Sequence, residues 1–168
     1  KGASRLLQRI GRANHRMDEP SRGVLIPANR FEVLECRVAI DAIAAMNDEE
    51  LAAAVGAPLE AAPVLRGARS LVEAREYARA VTDPARMELP AAARPTLDRF
   101  AELRRPAAER LSTDESRAIL RELKAVGGDL RSLRLALTGA ETGPELAAVL
   151  AALSRDESLE RAARASSA

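Results

Sequence analysis

In the stretch LRLALTGAETGPEL, Leu133–Leu146, one arginine stands among leucines. A guanidinium stays charged and presents a planar fork of donors. Arg134 must therefore snorkel to water, pair with an acid, or face a polyanion. The residues around it read as a helix, a break and a second helix start. Leu133, Leu135, Ala136 and Leu137 have core spacing, and Gly139 suits the left-handed position that ends a helix. Thr142 is expected to cap the next helix, with Pro144 in its first turn and Glu145 closing a T-x-x-E capping box. The free N–H groups of such a helix start can also hold phosphate.

Other chemistries find no support in the residue types. His15 is the lone histidine and has no Cys or His partner at ligand spacing, so no metal site is expected. Cys36 reads as an inert core thiol. No Ser-His-Asp or Cys-His arrangement and no paired carboxylates stand out, so no catalytic residue is assigned. A single cysteine cannot form an internal disulfide, which fits a reducing, cytoplasmic setting. No run of some twenty apolar residues is present, so no membrane span is expected, and no secretory signal is visible.

Those side chains need elements to hold them, and the composition favours helices. Alanine and leucine are abundant, while only Phe31, Tyr77 and Phe100 are aromatic. Residues 3–13 read as a helix with Leu6, Leu7 and Ile10 on one side. Gly23–Pro27 reads as a short buried strand, and Asn29 caps a helix from Arg30 to about Ala45. Beyond this point every expected element is helical. Asn47 caps 48–55, and Gly56 ends it. A short helix covers 58–65. Ser70 and Glu73 form a capping box for 70–81. Residues 83–91 are a loop, and Pro95 starts a helix through Leu103 with Leu97, Phe100 and Leu103 inward. Arg104-Arg105 reads as a solvated helix end. Ser112 and Glu115 box a helix over 113–125, stopped by Gly127-Gly128. Asp129 caps the helix carrying Arg134, and the last helices run over about 144–153 and 156–165. The fold class expected is all-α: a helical bundle with a small N-terminal helix–strand–helix segment.

Charge divides the chain unevenly. Residues 1–45 hold eight Lys/Arg against five Asp/Glu, and residues 46–168 hold eighteen against twenty. Two resemblances follow the same division. From about Met46 onward the chain resembles the C-terminal anticodon-binding part of bacterial glutamyl-tRNA synthetases. LRLALTG followed by GPEL carries the likeness, with NDEELAAAVG, VLRGARSLVEA and LSRDESLERA beside it. This resemblance implies a bundle of anticodon-binding type and tRNA(Glu) as partner. It also implies tRNA-contacting roles for Arg134, Thr142, Gly143, Leu146, Arg69 and Arg66. Unstacked anticodon bases are met by guanidinium planes and apolar contacts. The HIGH-like and KMSKS-like signatures of the aminoacylating part are absent from this chain.

Residues 1–45 resemble another family. QRIGRANHR is similar to motif VI of superfamily-two helicases, and DEPSRGVLIPANRFEVLECRVAIDA resembles the large helicase-related, ligase-associated DEXH-box branch. By this resemblance Gln8, Arg9, Arg12 and Arg16 face ATP, where arginines stabilise charge in phosphoryl transfer. The common pattern has a later arginine where this chain has His15 and then Arg16. ATP and Mg serve the full-length relatives of both families, and single-stranded or duplex DNA is the partner implied for this segment. The sequence has no G-x-x-x-x-G-K-[ST] phosphate loop and no DEXH box. No cofactor is therefore assigned to the chain itself, and the segment reads as a helicase fragment without hydrolysis of its own.

Overall fold

The computed structural model describes residues 45–165. The helix–strand–helix segment and its Gln8, Arg9, Arg12 and Arg16 lie outside the described residues. Eight α-helices, two 3-10 turns and no strand are found among the described residues. The helices are α1 Asp48–Val55, α2 Ala62–Leu65, α3 Leu71–Thr82, α4 Arg94–Arg104, α5 Thr113–Ala125, α6 Leu130–Thr138, α7 Leu146–Ala152 and α8 Arg155–Ala165.

Caps written into the sequence set most of these boundaries. Asn47 Oδ1 accepts from the Glu50 amide at 2.8 Å, and Glu50 Oε2 accepts from the Asn47 amide at 2.9 Å. Ser112 and Glu115 repeat the device at α5. Ser154 and Glu157 do so at α8, with amide bonds of 2.9 and 3.2 Å. Each box satisfies two amides that a helix start leaves without partners.

The architecture turns on α7. Its sequence, LAAVLAA, is apolar all round, and all seven residues are buried. A helix of that kind has no solvent face and must be surrounded. It packs against α2, α5 and α6, while α8 packs on α4 and α6. Leu51, Val64, Leu65, Phe100, Leu123, Leu133, Leu137, Leu146 and Leu150, each completely buried, belong to one cluster. Each such side chain contributes about 1.5–3 kcal/mol relative to remaining exposed. The small α1 and α2 share this core with the later helices.

Four expectations are corrected. Arg104 is not a solvated helix end; its side chain is completely buried, and only Arg105 is exposed. Leu103, expected inward, is only partly buried. Thr142 caps nothing: α7 begins at Leu146, after Glu145, with no side-chain cap. The Glu145 carboxylate is held instead by Arg117 Nε at 3.1 Å, and the Pro144 carbonyl is taken by Arg134. The carboxylate a T-x-x-E box would use is thus committed elsewhere. The Ser70–Glu73 box is half formed. Ser70 Oγ accepts from the Glu73 amide at 3.1 Å, but the Glu73 carboxylate turns away to the Arg69 amide and to Tyr77.

Candidate nucleic-acid interface

Helix α6 carries Arg134 and is fixed at both ends. At its start, Asp129 accepts from the amides of Arg131 at 3.0 Å and Ser132 at 3.3 Å, and from Ser132 Oγ at 2.6 Å. The bond from Ser132, with those two amides, holds the Asp129 carboxyl below its usual range despite partial burial. At its end, Gly139 has φ +67°, and a Cβ there would lie 2.2 Å from the Ala85 carbonyl oxygen. Glycine is therefore required twice, for the left-handed backbone and for the close approach of the 83–88 loop.

Between these ends, Leu133 and Leu137 are fully buried and draw Arg134 inward with them. Arg134 is 5% exposed. Its Nη1 donates to the Pro144 carbonyl at 2.7 Å, bridging the turn between α6 and α7. It pairs with no carboxylate among the described residues. Burial pushes the guanidinium below its ordinary pKa, yet a group of this basicity stays charged at neutral pH. Of the three fates open to a guanidinium, Arg134 takes a fourth, bonding to backbone within its own turn.

The turn it braces is exposed. Glu141, Thr142 and Gly143 face solvent, and Glu141 pairs with Arg131. Gly143 has φ +151°, and a Cβ built there would meet only Arg134 Nη1, at 3.9 Å. A bare stretch of backbone is all that covers the arginine on that side.

Helix α3 supplies the opposite wall. Glu73 Oε2 accepts from the Arg69 amide at 2.7 Å, and Glu73 Oε1 accepts from Tyr77 Oη at 2.9 Å. Positions 73 and 77 are one turn apart, so the pair is local to the helix. Tyr77 is half-buried, with one side against the core. Burial, and then the Glu73 carboxylate, raise its phenol well above the ordinary value, while Arg69 and Arg134 oppose this. Both cations thus act on the same ring. Gly67 lies beside it, where an added Cβ would be 3.9 Å from Tyr77 Cε2.

The structure therefore brings Arg134 against the Thr142–Gly143 turn, and it sets Tyr77, which shares the Glu73 carboxylate with the Arg69 amide, on α3, which packs against α6. It does not bring Arg66 there. That side chain donates from Nε to Asp48 Oδ1 at 2.6 Å and from Nη1 to the Met46 carbonyl at 2.8 Å, and so ties α2 to the start of α1. Leu146 is completely buried in α7 and supports the turn from below. Tyr77 is the group that reading for charged motifs passes over. Its signal was present: an aromatic four residues after Glu73, on the helix that follows RGARS, in a chain with three aromatics.

The profile of the family described as "Anticodon binding domain" matches residues 71–166, more than half of the chain. The chain belongs to this family. The anticodon-binding domain so matched begins at α3, whereas the packed core already includes α1 and α2. A stretch of 38 residues is also 47% identical to the ATP-dependent helicase Lhr-Core protein 2 of Thermococcus barophilus (strain DSM 11836 / MP). That stretch is 23% of this chain and 4% of the helicase, so the chain spans only a small part of that relative. No solved structure matches the chain. Among the described residues no group of three or more His, Cys, Asp or Glu could hold a metal ion. None of their helices is long and apolar enough to cross a membrane.

Proposed function

We propose that the helical domain reads the anticodon of tRNA(Glu), as the anticodon-binding part of a cytoplasmic glutamyl-tRNA synthetase does. The observation that carries this is Arg134 held beneath the exposed Thr142–Gly143 turn, with the half-buried Tyr77 on the neighbouring α3. A guanidinium plane, an aromatic ring and open backbone donors are what unstacked RNA bases require. The family match supports tRNA as the partner; LRLALTG and GPEL support glutamate as its identity. In this reading Leu146 supports the site from behind, Arg66 stands apart from it as the tie between α2 and α1, and the 1–45 segment is a helicase-like remnant. Neither part is assigned catalysis of its own.

Filter binding of the full chain tests the reading. The expected result is retention of tRNA(Glu), weaker retention of the same tRNA with altered anticodon bases, and little retention of single-stranded DNA of equal length. Equal binding of all tRNAs would remove the glutamate assignment. A preference for DNA would favour the second reading, a helicase-derived DNA-binding chain, which the 38-residue likeness to the Thermococcus protein supports.

A further inference from the structure

The site contains a feature that recognition by arginine alone does not use. Tyr77 is half-buried, yet its hydroxyl is already satisfied by Glu73 at 2.9 Å, so the ring is held at a fixed angle. Glu73 is itself fixed, because its second oxygen accepts from the Arg69 amide and its own amide donates to Ser70 Oγ. This chain of bonds orients the aromatic ring without involving any ligand. On one side the ring rests on a core made of leucine and alanine. Near its Cε2 edge stands Gly67, exposed and without a side chain. An aromatic held this way, half-buried and with an exposed glycine beside its edge, is a platform left open.

We infer that Tyr77 is a stacking platform for one unpaired base of the bound RNA. This rests on the anticodon reading and extends it to a named contact. The ligand chemistry is a flat, unpaired nucleobase within a single-stranded loop. A paired base has both faces covered and cannot use the ring. Stacking is sequence-tolerant, because every base has a π-face. Tyr77 therefore contributes affinity, and Arg134 and the turn contribute the choice of base. Glu73 acts as a positioning residue for the ring.

The test uses the full chain and a glutamate anticodon stem-loop carrying 2-aminopurine at each unpaired loop position in turn. Stacking on tyrosine quenches the fluorescence of that base. The wild-type chain should quench one position strongly. Tyr77→Phe should keep the quenching, whereas Tyr77→Leu should abolish it and weaken Kd about ten-fold, within the range for loss of one base–aromatic stack. The salt dependence of binding should not change in Tyr77→Leu, since no charge is lost; Arg69→Gln should instead reduce the salt slope by about one. Gly67→Leu gives a second route that leaves the tyrosine in place. Its side chain would stand over the ring edge, and quenching should fall while the thermal melt stays near wild type.

Unchanged quenching and Kd in both Tyr77→Leu and Gly67→Leu would overturn the platform while leaving anticodon binding intact. Failure of the wild-type chain to bind the stem-loop would overturn both the platform and the anticodon reading.

Discussion

Two buried arginines do the same structural work, and only one of them borders the proposed site. Arg104 closes α4 and donates from Nη1 to the Ala108 carbonyl at 2.6 Å and from Nη2 to the Glu109 carbonyl at 2.9 Å. Arg134, midway along α6, reaches the Pro144 carbonyl across the next turn. Both guanidiniums are buried, and burial pushes both below their ordinary pKa. Arg161 is a third of the kind, bonded to the Leu137 and Val81 carbonyls. Each takes the place of water for carbonyls that helix ends and loops leave unpaired. The neighbours differ. Arg104 braces the turn 105–110, which carries side chains throughout, and its Nε is buried with no partner. Arg134 braces a turn whose Gly143 presents bare backbone beside its Nη1. A buried arginine is thus no sign of function by itself; what lies beside it decides.

The comparison is broken most directly at Arg104. Arg104→Ala removes two charge-assisted bonds and leaves the Ala108 carbonyl without that partner, while the Glu109 carbonyl still accepts from the Arg155 amide at 2.7 Å. Bonds to charged groups contribute about 1.5–3 kcal/mol each, so a loss of about 3 kcal/mol or more is expected. At this size that lowers Tm by roughly 10 °C. RNA affinity per folded molecule should stay at the wild-type level. A binding defect in Arg104→Ala larger than that of Arg134→Ala would reverse the roles given to the two ends.

Arg134→Ala removes one such bond, and about 2 kcal/mol of stability should go with it. It should also flatten discrimination among anticodon variants. A bidentate arginine–base contact gives about 1–3 kcal/mol of discrimination in DNA readout, and the same scale is expected here. Measurements on a panel of anticodon variants at two salt concentrations, beside a melt, separate the possibilities. Uniform weakening with a smaller salt slope means a phosphate contact. A lower Tm with unchanged binding means that Arg134 is a brace alone, and the base-reading role given to it fails.

The same two ends show what the sequence makes legible. Helix boundaries were legible wherever a capping residue and its partner lie three apart, as at Asn47–Glu50 and Ser112–Glu115, because such bonds are local. The burial of α7 follows from LAAVLAA without knowledge of its neighbours. Arg104 was not legible, since its partners are carbonyls, which every residue has and no residue type announces. The false cap at Thr142 has the same origin. Its box was locally allowed, but Arg117 takes the Glu145 carboxylate from 28 positions away, and Arg134 takes the Pro144 carbonyl. Arg69, Arg134 and the 142–143 turn could be named from motif likeness, but that α3, which carries Tyr77, lies against α6 is a matter of packing.

The smallest expected effect separates the two helices by pH. Helix α6 starts on a carboxylate, Asp129, whereas α4 starts after Ala93 with Pro95 in its first turn and no side-chain cap. The bond from Ser132 and the capped amides hold Asp129 below its ordinary range. A carboxyl whose folded pKa is depressed adds stability that is present above its unfolded value, near 3.9, and is lost as pH falls through the folded one. Asp129→Ala should therefore cost about 1 kcal/mol at neutral pH, the usual worth of an N-cap. The gap between this variant and wild type should shrink as pH falls below about 4. Asp129→Asn keeps a capping oxygen but cannot titrate, so its gap should be smaller at neutral pH and should close in the same sense, the mutant again losing less to acid than wild type. Amide hydrogen exchange locates the effect: on acidification the first-turn amides of α6, at Arg131 and Ser132, should lose protection before those of α4. Equal loss in both helices, or a gap in Asp129→Ala that does not change with pH, would mean that the ionised cap does not hold the Arg134 end in place.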